Sequence, residues 1–78
     1  MKYYTYKYPN GDSEFYRVID GIESKMSVRT GRIECVGISN NGPPITWLEK
    51  NAEVIDGPEF ETEYQRVLSR VIMTAQGR

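Results

Sequence analysis

KYYTYKYPNGDSEFYRV, residues 2–18, gathers five of the chain's six tyrosines around one Asn-Gly pair. Asn-Gly accepts the positive φ angles of a type I′ turn, whose twist suits a two-residue hairpin loop. The flanking runs are rich in tyrosine, threonine, phenylalanine and valine, which favour strands. The stretch reads as a β-hairpin. How its tyrosines divide between the two faces decides what the sheet can bind.

Two further turn signals follow, Asp20-Gly21 and Thr30-Gly31. With two-residue loops throughout, strands fall at about residues 2–8, 13–19, 22–28 and 33–38. Tyr6 then faces Phe15, Tyr3 faces Val18, Phe15 faces Met26, and Met26 faces Cys35. Side chains alternate across a strand, so one face collects Tyr4, Tyr6, Phe15, Ile19, Ile22, Met26, Val28, Ile33 and Cys35. Arg17 is the charged misfit there, and stacking on an aromatic ring would accommodate it. The other face collects Tyr3, Thr5, Lys7, Glu14, Tyr16, Val18, Glu23, Lys25, Ser27 and Glu34, with Val36 and Ile38 at its far end.

SNNGPP, residues 39–44, breaks the pattern, because Pro43-Pro44 lacks backbone donors. ITWLEK, residues 45–50, reads as a fifth short strand or a packed loop and carries the only tryptophan, Trp47. From Pro58 to about Met73, Phe60, Tyr64, Val67, Leu68, Val71 and Ile72 recur at helical spacing. Asp56 is the expected N-cap, Glu59 stands at capping-box spacing, and Ile55 with Phe60 matches a hydrophobic staple. The expected fold is α+β in a single domain, residues 1–78: an antiparallel meander of four strands, five with 45–50, and one amphipathic C-terminal helix on the Met26/Val28/Ile33 face.

Composition excludes several chemistries. With 78 residues the core is thin, and small scaffolds of this size commonly rely on a disulfide, a metal or a partner chain. One cysteine and no histidine rule out an intrachain disulfide, a Cys/His zinc site and any histidine-based catalytic dyad. No cofactor motif is present: the glycines match no phosphate loop or dinucleotide fingerprint. Cys35, on the apolar face, is expected to be a buried, inert thiol. The carboxylates Glu49, Glu53, Asp56, Glu59, Glu61 and Glu63 form an acidic segment that suits a helix start or a basic partner better than an acid–base pair. An enzyme is not expected.

A net charge of −1 disfavours a nucleic-acid binder. No apolar run reaches the ~20 residues of a membrane span. The opening MKYYTYKYPNG lacks the apolar stretch of a signal peptide, and one unpaired cysteine fits a reducing cytoplasm.

One helix covers one face, which leaves the other for function. Tyr3, Thr5, Lys7, Tyr16, Val18, Lys25, Val36 and Ile38 are the candidate partner-binding residues, because aromatic side chains are enriched in interfaces. The expected function is a small non-enzymatic protein-interaction module that docks this face, or the acidic segment, onto a partner. Size and simplicity suit an inhibitor or accessory factor of the kind phages and mobile elements carry. Two alternatives come from other classes. One is a single-strand nucleic-acid binder stacking bases on Tyr3 and Tyr16 between Lys7 and Lys25, against which Glu14, Glu23 and Glu34 would repel phosphates. The other is a homodimeric structural protein. The 33–38 edge, with Glu34 as its single charge, is the expected place for a fifth strand or for a neighbour's strand.

Overall fold

The computed structural model describes residues 1–19, 25–39 and 43–76, with side chains at 1–19, 26–38 and 43–71. The strands are β1 (Lys2–Lys7), β2 (Ser13–Val18), β3 (Lys25–Thr30), β4 (Cys35–Ser39) and β5 (Glu53–Ile55). The helices are α1 (Ile45–Asn51) and α2 (Gly57–Gln76). Among the described residues the strands form one antiparallel sheet in the order β4-β3-β2-β1-β5, with α2 packed on it, which is an α+β fold. The Asp20-Gly21 turn, Ile22 and Glu23 lie outside the described residues.

The first hairpin is one residue out of the expected register. Tyr4 pairs with Tyr16 and Lys7 with Ser13. The Tyr8 N–H donates to the Asp12 carbonyl at 2.8 Å and the Gly11 N–H to the Tyr8 carbonyl at 3.1 Å. The loop is thus Pro9-Asn10-Gly11, with Gly11 at φ 94° and no described non-glycine residue at positive φ. Proline fixes φ near −65°, which suits the second position of a type I turn followed by a left-handed glycine. Pro9 therefore selects the three-residue loop over the two-residue one.

The β3–β4 hairpin departs further. Val28 pairs with Val36 and Met26 with Ile38, a slip of three from the expected register, and residues 31–34 form the connection. Between β2 and β3, Phe15 pairs with Val28 instead of Met26. That slip is even and keeps both strands on their expected faces, whereas the two odd slips turn β1 and β4 over.

Two cores result, one on each side of the sheet. Under α2, Val28, Phe60 and Val67 are fully buried, with Tyr3, Phe15, Met26, Val36, Ile55 and Tyr64 against them. On the other side, Tyr4, Tyr16, Val18 and Leu48 are buried, with Tyr6, Ile45, Trp47 and Ala52 packed around. Met26 and Val28 face α2 as expected. Tyr4 and Tyr6 do not, and Ile33 and Cys35 are exposed.

Residues 45–50 are helical rather than a strand or a loop. The Pro44 carbonyl accepts from Trp47 and Leu48 at 3.0 and 3.1 Å, and the Ala52 N–H donates to Leu48 at 2.9 Å. The fifth strand is residues 53–55, and it joins β1 rather than the 33–38 edge. The α2 start matches expectation: the Glu59 N–H donates to Asp56 Oδ1 at 2.8 Å. Ile55 and Phe60 share one core.

Candidate functional site

The expected open tyrosine face does not form. Of its candidate residues, the register puts Tyr3, Thr5, Lys7, Val36 and Ile38 on the α2 side and Tyr16 and Val18 on the α1 side, while the Lys25 side chain lies outside the described residues. Tyr16 and Val18 are 3% and 1% exposed, beneath Leu48 of α1. Tyr3 packs on Phe60 with ring centroids 5.6 Å apart. Tyr3 and Tyr16 therefore lie on opposite faces and form no shared stacking platform. The odd register slip in the first hairpin is the cause.

The α1 side instead carries a run of aromatic contacts. Trp47 meets Tyr6 edge-on at 5.0 Å, and Tyr6 meets Tyr8 edge-on at 5.1 Å. The Arg29 guanidinium lies 4.3 Å over the Tyr8 ring, a favourable cation–π geometry. The Tyr8 hydroxyl donates to Glu14 Oε1. Burial pushes the Tyr16 phenol well above its ordinary pKa, with the Glu14 charge adding to the rise. Burial also raises Tyr8, followed by its hydrogen bond to Glu14. These phenols stay protonated and serve packing.

Asp12 anchors this end of the sheet. It is 2% exposed. Its Oδ1 accepts the Arg32 N–H at 2.9 Å and its Oδ2 pairs with Arg29 at 3.1 Å. These bonds, the Arg32 amide first, hold its carboxyl below the usual aspartate range. Gly31, at φ 132°, makes room: an added Cβ would stand 2.2 Å from Asp12 Oδ1. Asp12 is not among the residues that motifs or spacing single out, although it directly follows Asn10-Gly11, whose turn aims it at the next hairpin.

The acidic segment spreads over three elements. Glu49 lies on α1, Glu53 on β5, and Glu59 and Glu61 in the first turns of α2, all exposed. Asp56 caps α2, and Glu63 pairs with Arg66 at 2.7 Å. No group of His, Cys, Asp and Glu among the described residues is arranged to hold a metal. A cleft of about 380 Å³ beside β5 is lined by Tyr3, Val54 and Ile55, with Lys2 and Glu49 also on its wall. No described helix is long and apolar enough to cross a membrane.

Among the described residues, what the fold leaves open is a sheet edge. β4, CVGIS, is an outermost strand with no charge and no proline in it. Such edges usually carry lysine, proline or a bulge to block further pairing. Cys35 and Gly37 are exposed, and Ile38 is 71% exposed. The opposite edge, β5, has only three residues and sits between α1 and α2. Above the Glu34 end of β4, α2 is tied down by Arg70, whose Nη1 lies 2.9 Å from both Glu34 oxygens. Comparison with protein-family models, curated proteins and solved structures finds no match for this chain.

Proposed function

We propose that this chain is a small non-enzymatic protein-interaction module that docks an extended protein segment on its β4 edge. The observation that carries the reading is the bare β4 strand itself: five uncharged residues at the sheet's rim with Ile38 71% exposed. An added strand gains main-chain hydrogen bonds from the edge and side-chain contacts from alternate positions. The absence of histidine and the outward placement of Glu49, Glu53, Glu59 and Glu61 support a binding role over catalysis. Burial of both core faces supports the edge, rather than the tyrosines, as the contact.

The test compares the natural chain with Ile38→Lys and Gly37→Pro as baits. A protein held by the natural chain and lost from both variants, then shown by titration with purified components to bind at the edge, supports the reading. Equal retention by all three baits, each folded by circular dichroism, overturns it.

A further inference from the structure

We infer that the segment docked on the β4 edge is the β4 strand of a second copy of this chain, paired antiparallel about a two-fold axis. The inference rests on the edge reading above and names its occupant. Two features point to self-pairing.

The first is a match between the two ends of β4. Antiparallel pairing lays the Glu34 end of one strand beside the Ile38 end of the other. At the Glu34 end α2 is anchored by Arg70. The next residue, Val71, stands one turn after fully buried Val67 on the same stripe, yet is 39% exposed. At the other end, Ile38 shares its face with Val36 under α2 but is left uncovered. A two-fold axis sets the Val71 of each copy toward the Ile38 of the other. Each chain supplies both halves of the contact, as an isologous interface requires.

Gly37 is the second feature. It sits mid-strand, where glycine weakens a sheet, and such glycines mark places where another backbone comes close. No described residue lies within 4 Å of where its Cβ would be. No contact among the described residues calls for a glycine there, and the approach of another backbone would.

Light scattering of the full chain over a wide concentration range, with amide hydrogen exchange on the same samples, tests this. The expected result is a dimer that dissociates on dilution, with β4 amides that gain protection as the dimer fills. Ile38→Lys and Val71→Lys each shift the mass to monomer while circular dichroism shows an intact fold. A monomer at every concentration with fast β4 exchange refutes self-pairing and leaves the edge free for another protein. A monomer whose β4 amides exchange slowly refutes both self-pairing and the edge reading. A dimer indifferent to both substitutions uses a different surface and also refutes the inference.

Discussion

Leu48→Ala probes the packing that turns the tyrosines inward. Leu48 is fully buried beneath α1 and touches the cluster of Tyr4, Tyr16 and Val18. Truncating a buried leucine costs the lost burial plus the cavity left behind, about 3 kcal/mol at a site with little room to collapse. A chain of 78 residues has roughly 4–12 kcal/mol of stability in all. The loss is thus a large fraction of the total and lowers Tm by roughly 12–24 °C for a domain of this size. Equilibrium urea unfolding followed by far-ultraviolet circular dichroism reads it as a lower midpoint at unchanged slope. Val54→Ala is the control: Val54 is 77% exposed, and its truncation stays within about 0.5 kcal/mol. A Leu48→Ala effect below about 1 kcal/mol would mean that α1 does not seal this face. Tyr16 and Val18 would then be open to solvent, and the reasoning would fail.

Gly11→Ala meets only backbone strain, since no described residue lies within 4 Å of its Cβ position, and costs about 1–2 kcal/mol. Gly31→Ala adds a collision with Asp12 and lowers the urea midpoint further, so equal midpoints for the two variants would contradict the Gly31–Asp12 packing. Asp12 titrates below its ordinary range, chiefly through the Arg32 amide and then Arg29. The stability it contributes is complete above the unfolded aspartate pKa and is lost as pH falls through the depressed value. Asp12→Asn therefore flattens the acid limb of the midpoint–pH curve, and an unchanged limb would count against the ion pair. Tyr16 has a raised pKa, from burial first and Glu14 second. Its contribution is present below the ordinary tyrosine pKa of about 10 and is lost as pH rises toward the raised value. Tyrosinate absorbance should show fewer phenols ionising in the native protein than in urea, until alkaline unfolding.

Much of the fold was legible because its signals are local. The α2 start is written in Asp56, Glu59 and the Ile55/Phe60 pair, and its observed hydrogen bond matches that pattern. The meander of β1 to β4 follows from alternating strand formers between turns. Register was not legible, because it depends on loop length, and a single residue decides which side chains are inside. Pro9 held the missing information at the first hairpin. At the β3–β4 hairpin, the connection is built around Asp12, which lies far away in sequence. Residues 45–51 misled for another reason. Ile45, Thr46 and Trp47 favour strands, but Pro44 can open a helix, and burial of Leu48 on the sheet outweighs the weak local preference. The candidate site inherited these slips: the tyrosine patch dissolved into two cores, while the edge containing Val36 and Ile38 stayed open.

Cross-strand proton contacts measured by nuclear Overhauser spectroscopy on the dilute chain test the register most directly. The expected result is Tyr4 opposite Tyr16, Phe15 opposite Val28 and Val28 opposite Val36, with Tyr16 ring contacts to the Leu48 methyls. Contacts of Tyr6 with Phe15 and of Met26 with Cys35, and none between Tyr16 and Leu48, would restore an open tyrosine face and contradict the two-core fold and the edge site drawn from it.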